Sequence, residues 1–381
     1  MKLVIDANIP AADACLGHLG EITCLPGREI TPNDVKDADA LIVRSITRVD
    51  AALLEGSALS FVGSCTIGVD HVDLDYLAAR SIGFASAPGC NAEAVVDYVL
   101  ASLLDASERE GGDALARTVG VVGVGSVGGR LVARLKALGL EVLACDSPRA
   151  AREGDDGFAS LDEVIARCDV ICLHTPLVRD GEHATRHLLD ARRIEALKPG
   201  TLLISAGRGD CVDGGALYRR LKEKGDITAV LDVWENEPAI DAALRERAFL
   251  ATPHIAGHSL DGKLRGTWMI QQALTKHLQA PCGPAFDAIC PAPALASLHL
   301  QEALPVNDAL RLCSTAVYDP RRDHDTLARE TRRLGVAKGF DTCRANYPLR
   351  REFATLEVTL GPRAQALEGV LRGAGFKVEC V

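Results

Sequence analysis

Three segments in the second half of the chain carry side chains suited to moving a proton and gripping an anion. They are "ISAGRGDCVD" with Arg208, "LDVWENEP" with Glu235 and Glu237, and "ATPHIAGHS" with His254. Each begins as an apolar, strand-like run and ends in a polar loop, which in an open α/β sheet is the carboxyl-end crevice where ligands bind. Histidine is a base whose unperturbed pKa lies near neutrality. A carboxylate on its far ring nitrogen fixes the tautomer and stabilises the imidazolium formed on proton uptake, and a guanidinium offers a planar fork to a carboxylate. Singly, each has a plainer account, such as a structural histidine or a solvated turn glutamate before Pro238. The case rests on their occurring together behind a ligand-binding fingerprint.

That fingerprint is "VGVVGVGSVGGRLVARLKALGLEVLACD", with Gly123, Gly125 and Gly128 in G-x-G-x-x-G spacing and Asp146 closing the next strand-like run. A strand, glycine turn, helix and second strand in that order read as a dinucleotide site. Gly123 permits the tight turn, Gly125 lets backbone approach a pyrophosphate, and Gly128 allows close helix packing. The amides of Ser126 and Val127, at a helix N-terminus, then face the phosphate charge. Asp146 is placed to accept the ribose hydroxyls and to repel a 2′-phosphate, so the expected cofactor is NAD rather than NADP. Arg149, just beyond in "SPR", is the residue that argues the other way.

These side chains need a scaffold, and the sequence supplies one. Short apolar runs ("KLVID", "ALIVRS", "SFVGSC", "VGVVGVG", "EVLACD", "DVICLHTP", "GTLLISA", "TAVLDVW") alternate with amphipathic helical stretches, the pattern of a doubly wound parallel sheet. The runs fall before and after "AEAVVDYVLASLLDASERE", so the expected fold class is α/β, with two Rossmann-like domains plus a small C-terminal α+β domain. The expected boundaries are residues 1–92, completed by 258–282, for a substrate or lid domain; 93–257 for the NAD-binding domain; and 286–381 for a C-terminal dimerisation domain. The proline-rich "APCGPAFDAICPAPA" reads as the linker into that last part.

With 381 residues, 48% hydrophobic and 25% charged, the composition is that of a globular chain of two or three domains. A formal net charge of −10 argues against nucleic acid or an anionic membrane as partner, since both want a basic face. Neither a secretory signal nor a membrane-spanning apolar run is present, which leads to a cytoplasmic expectation. The 13 cysteines lack C-x-x-C or His-rich spacing, so reduced thiols and no metal site are expected. Cys65 reads as a small core residue.

The same stretches, with "LVRSITRV", "FVGSCTIGVDHVDLDYL", "SAPGCNAEAVVDYVL", "LHTPLVRDGEHATRHLL" and "TPHIAGHSLDGKLRGT", make the chain resemble the D-isomer-specific 2-hydroxyacid dehydrogenases over nearly its whole length. "AVYDPRRD" and "YPLRRE" narrow the likeness to members acting on a small phosphorylated hydroxy acid and pairing as homodimers through the C-terminal domain. The resemblance selects Glu237 over Glu235, which is left as a solvated charge, and makes Arg208, Glu237 and His254 the catalytic set. By resemblance alone, Thr175, Ala206, Gly207, Asp232 and Gly257 contact the cofactor. Ser45, Thr66 and His258 contact the substrate, from loops that would close over it and exclude water.

Two departures stand out. His258 occupies a position where relatives commonly carry Tyr, and "SAGRG" replaces the commoner "NASRG", so Ser205 and Gly207 lose side-chain contacts while Arg208 is kept. For the substrate phosphate, Arg44 is the candidate. The arginine pairs at 321–322, 332–333 and 350–351 read as solvated faces, and "ATLEVTL" as a strand able to pair or pack across a two-fold axis. Two other readings remain open: a family member with an effector-binding tail, and a dinucleotide-gated scaffold without turnover.

Overall fold

A computed structural model describes residues 1–381, and the chain divides into two compact units, 1–91 with 259–292 and 92–258 with 293–381. The first unit is built on a five-stranded parallel sheet of β1 (Lys2–Asp6), β2 (Glu21–Leu25), β3 (Ala40–Val43), β4 (Phe61–Ser64) and β5 (Gly83–Ser86), in the order β2-β1-β3-β4-β5. Strands β3 and β4 are buried at every residue, as continuous apolar runs inside a parallel sheet should be. Helix Leu260–Leu278 covers one face. Its Ile270 and Leu274 join Leu3, Ile5, Ile42 and Phe61 in one cluster.

Glycine lets this helix lie close. A Cβ on Gly63 would stand 2.5 Å from Ile270 Cγ2, and one on Gly266 would stand 2.8 Å from the Cys65 carbonyl oxygen. The helix therefore runs back along β4, with its earlier residues toward the strand's carboxyl end.

The second unit holds a six-stranded parallel sheet of β6 (Val119–Val122), β7 (Val142–Cys145), β8 (Val170–Leu173), β9 (Leu202–Ser205), β10 (Thr228–Leu231) and β11 (Leu250–Ala251), ordered β11-β10-β9-β8-β6-β7. β8 and β6 are neighbours while β7 lies outside them, so the strand order reverses at the end of β6, the switch point where α/β sheets take ligands. The glycine turn at 123–128 follows β6 directly.

A three-stranded parallel sheet, β12 (Ser297–Leu300), β13 (Glu357–Leu360) and β14 (Lys377–Cys380), belongs to the same unit. The C-terminal segment, expected as a separate domain from residue 286, shares its core with the nucleotide-binding part. Leu310, Phe353, Val358 and Leu371 pack in one cluster with Leu100, Leu131 and Leu135. Helix Val306–Val317 and β13 present more apolar surface than three short strands can cover, and helices Ala92–Glu110 and Ser126–Ala137 supply the rest. Of the two ways expected for "ATLEVTL" to meet a second copy, pairing is closed: β13 is the central strand, laddered to β12 on one side and β14 on the other. No helix of the chain is long and apolar enough to cross a membrane.

Candidate active site

The site grows from the carboxyl end of β10. Asp232, 1% exposed, turns its carboxylate on the loop that follows β11. Oδ1 accepts from Thr252 Oγ1 at 2.6 Å and from the Ile255 amide at 2.8 Å, and Oδ2 accepts from the Ala256 amide at 2.9 Å. The Asp232 carbonyl accepts from the His254 amide at 2.7 Å. These bonds hold His254 at φ 56°, a left-handed conformation that costs a side-chain-bearing residue on the order of 1 kcal/mol or more. Trp234 Nε1 donates to the Thr252 carbonyl at 2.9 Å, and Tyr98 shares a 2.9 Å hydrogen bond with Thr252 Oγ1. The loop is thus gripped from beneath by strand, indole and phenol.

Within this frame His254 Nδ1 stands 2.7 Å from Glu237 Oε2, while Glu237 Oε1 accepts from the Trp234 amide at 2.9 Å. The carboxylate is oriented by the turn it closes, and the imidazole is oriented by the carboxylate. Nε2 is left as the nitrogen able to exchange a proton. Both side chains remain partly accessible, at 33% for His254 and 20% for Glu237.

Glu235, expected as a solvated charge, is a tie instead. Oε1 pairs with His187 Nε2 at 2.8 Å and Oε2 accepts from the Gly214 amide at 2.9 Å, at the start of helix Gly214–Glu223. Asn236 takes φ 59° between the two glutamates, so their side chains serve different neighbours.

Arg208 follows β9, exposed, with only its own Gly207 carbonyl as hydrogen-bond partner, at 2.9 Å. Its placement depends on Gly209, which the sequence reading did not single out. A Cβ there would come within 2.0 Å of the Trp234 carbonyl group, so the arginine loop lies flat on the loop bearing Glu237. Gly207 is constrained likewise, its missing Cβ falling 2.9 Å from the Thr175 carbonyl oxygen. The "SAGRG" departure is thus a close backbone approach as well as a lost side chain.

The fingerprint residues meet the demands of a dinucleotide. Gly123 has φ +87°, and a Cβ on it would meet His174 and Thr175 backbone at 2.9 Å; a Cβ on Gly128 would fall 2.0 Å from the Gly123 carbonyl oxygen. Gly125, by contrast, has no protein atom within 4 Å of where its Cβ would be. The fold asks for the outer two glycines, and the middle one keeps open the space a pyrophosphate would take. Ser126 begins a twelve-residue helix without a side-chain cap, so the amides of Ser126 and Val127 are available to an anion.

Asp146 accepts from the Val124 amide at 2.8 Å through Oδ2 and from the Arg149 amide at 3.0 Å through Oδ1. Arg149 is committed elsewhere, with Nε and Nη2 on Glu153 at 3.0 and 2.7 Å and Nη1 on the Val124 carbonyl at 2.8 Å. It has no fork to spare for a 2′-phosphate. Thr175 Oγ1 donates to Cys211 Sγ at 3.3 Å, and the Ala206 amide donates to the Leu173 carbonyl at 3.2 Å. Beside them, burial pushes the His174 imidazole down to about 4, so it is neutral near pH 7.

The C-terminal segment completes the loop. Arg350, read from sequence as a solvated charge, is 4% exposed. It donates to the Ala256 carbonyl at 3.0 Å and to the Ala94 carbonyl at 2.6 Å, with its guanidinium 3.5 Å from the centre of the Tyr318 ring. Tyr347 stands edge-on to His258, with 5.7 Å between ring centres. Gly257 lies between Ala256 and His258 in the same tethered loop.

Ser45 and Thr66 belong to the first unit, after β3 and β4. Ser45 is exposed, while Thr66 is half-buried and shares a 2.8 Å hydrogen bond with Ser64 Oγ.

Sheet order, fingerprint and a paired His and Glu beside an exposed Arg make this the candidate site of a nucleotide-dependent oxidoreductase. Residues 99–256 match the family described as D-isomer specific 2-hydroxyacid dehydrogenase, NAD binding domain, and residues 289–370 match a domain of unknown function. The chain belongs to the D-isomer-specific 2-hydroxyacid dehydrogenases, and its cofactor is NAD. It is 56% identical over 379 residues to an erythronate-4-phosphate dehydrogenase of Chromohalobacter salexigens, covering 100% of this chain and 99% of the relative. It is 50% identical to the enzyme so named in Azotobacter vinelandii, covering 98% and 99%. Among solved structures, D-lactate dehydrogenase from Aquifex aeolicus with NAD and lactic acid aligns with TM-score 0.58 at 25% identity, over 73% of this chain and 96% of that one.

Proposed function

We propose that this chain oxidises 4-phospho-D-erythronate at its C2 hydroxyl to (R)-3-hydroxy-2-oxo-4-phosphooxybutanoate, a step in pyridoxine 5′-phosphate biosynthesis. The observation that carries the reading is the 2.7 Å pairing of His254 Nδ1 with Glu237, beside Arg208 in a chain whose full-length relatives bear the name of that activity. Oxidation of the alcohol releases a proton and, from C2, a hydrogen with its electron pair; bound NAD supplies the acceptor for the latter. His254 Nε2 takes the hydroxyl proton, and Glu237 stabilises the imidazolium that results. Arg208 binds the substrate carboxylate through its fork and polarises the forming carbonyl. Gly123, Gly125, Gly128, Ser126, Val127 and Asp146 would hold the dinucleotide, with Thr175, Ala206, Gly207, Asp232 and Gly257 as its further contacts. For Asp232 that contact would be shared with three donors already on its carboxylate. Ser45, Thr66 and His258 contact the substrate.

A second copy of the chain completes the assembly in this reading. Leu349, on the loop just before Arg350, is 80% exposed, and Leu312 and Val306 are also exposed, which supports homodimerisation through the C-terminal segment. The thirteen free cysteines support a reducing cytoplasm as its location. The test is NADH formation with a 2-oxo acid present to recycle the cofactor, comparing 4-phospho-D-erythronate with 3-phosphoglycerate. Clear preference for the four-carbon acid is expected. Preference for phosphoglycerate would replace the substrate, and silence with both would remove the catalytic reading.

A further inference from the structure

Two cations of the first unit stand without a carboxylate. Arg44 leaves the end of β3 beside Ser45, and Lys263 lies near the start of helix Leu260–Leu278. No ion pair or side-chain hydrogen bond ties down either head group. Their placement follows from the helix packing: Ile270 covers Gly63 and Gly266 covers the Cys65 carbonyl. One turn earlier, Lys263 arrives at the carboxyl ends of β3 and β4, where Arg44, Ser45 and Thr66 emerge. The two charges sense each other, since partial burial and then the positive charge of Arg44 hold the Lys263 ammonium below the ordinary lysine range.

Like charges brought together on partly desolvated stems disfavour the free protein, and a dianion relieves both at once. A phosphate ester carries close to two charges near neutrality and several strong acceptor oxygens. Arginine offers it a bidentate fork and lysine a point charge. The other arginine-rich place, a cavity of about 360 Å³ lined by Arg322, Arg329 and Arg333, fits a dianion less well. There Arg329 and Arg333 are already paired with Glu330, at 3.2 and 2.6 Å.

We propose that Lys263 and Arg44 together bind the phosphate group of the substrate, an inference that rests on the phosphorylated hydroxy acid of the preceding section. The first unit then recognises the phosphate group. Lys263 becomes the specificity determinant for phosphorylated over plain 2-hydroxy acids.

The test compares kcat/KM for 4-phospho-D-erythronate and for D-erythronate in the wild-type protein, Lys263→Ala, Arg44→Ala and Lys263→Arg. Each alanine variant is expected to lower the ratio of the two values by roughly 10- to 100-fold, as loss of a charge-assisted contact should, while Lys263→Arg keeps most of it. An unchanged ratio in Lys263→Ala, or equal losses on both acids, overturns the assignment. Should the wild-type protein oxidise neither acid, the functional reading falls. The site is then judged separately by phosphorus NMR titration with inorganic phosphate. Binding weakened about tenfold or more in Lys263→Ala upholds the site, and equal binding in both proteins removes it.

Discussion

Replacing Asp232 by Asn asks whether the loop that carries His254 is held by a charge. In the native protein both oxygens of this buried carboxylate are in use, with Thr252 Oγ1 and the Ile255 amide on one and the Ala256 amide on the other. An asparagine oxygen can keep the first pair as neutral bonds, but its NH2 must then face the Ala256 amide, donor against donor. Losing one bond to a charged acceptor, weakening two more and burying an unpaired amide sums to about 3–5 kcal/mol. A unit of this size loses roughly 2–4 °C of Tm per kcal/mol, so a fall on the order of 10 °C is expected. Displacing His254 from its left-handed conformation should also lower kcat by roughly 10²-fold, the cost of a misplacement of about 1 Å. Thermal melts and steady-state kinetics on the same preparation give both numbers. Tyr98→Phe, which removes only the outer bond to Thr252, sets the scale at ~1 kcal/mol. A variant that melts within about 1 °C of wild type with full turnover would refute the claim that this carboxylate positions the loop.

Other consequences are equally open to measurement. Glu237→Gln keeps an acceptor for the Trp234 amide but loses the charge facing the imidazole, and kcat should fall about 10²-fold or more with Tm nearly unchanged; near-normal turnover would take Glu237 out of the mechanism. Glu153→Ala releases the fork of Arg149, so selectivity for NAD over NADP should narrow by roughly tenfold. Unaltered selectivity would show that Asp146 alone sets the choice. Burial pushes Asp97 up to about 7 against the opposing charge of Arg134. Its folded value lies above its unfolded one, so the stability it contributes is complete below about pH 4 and is lost as pH rises through about 7. Asp97→Asn, which mimics the protonated acid, should flatten the dependence of the urea midpoint on pH across that window, leaving the smaller contribution of Asp105, pushed up to about 6. A variant with the wild-type slope would contradict the assignment.

How much of this was readable in the residues depended on how local the cause was. The eight apolar runs picked out as strands are all strands, most of them buried on both faces, with β7 an edge strand of alternating burial that its apolar run still marked. By contrast β2, with the pattern "EITCL" mostly exposed, β5 with its small residues and β12 are edge strands whose sequences carry little periodicity. The turn holding Glu235 and Glu237 gave two carboxylates and no local means of choosing. Likeness to a family chose, and the geometry shows the difference to be a left-handed Asn236 that sends the side chains to different neighbours. Arg350 was misread since "YPLRRE" looks like a charged surface, and its acceptors come from residues 94 and 256. Lys263 was passed over because its role depends on which strand end its helix crosses.

The arginine wedged between the Ala94 and Ala256 carbonyls sets a limit on modularity. It sits 94 residues beyond the loop it steadies. Here the histidine-bearing loop and the C-terminal segment are tied into one mechanical part, so the loop is not kept intact when the segment is trimmed away. A chain cut before residue 293 would strip the apolar side of helix Ala92–Glu110 and slacken the backbone two residues from His254. What looks like an added tail is a brace for the loop that carries His254.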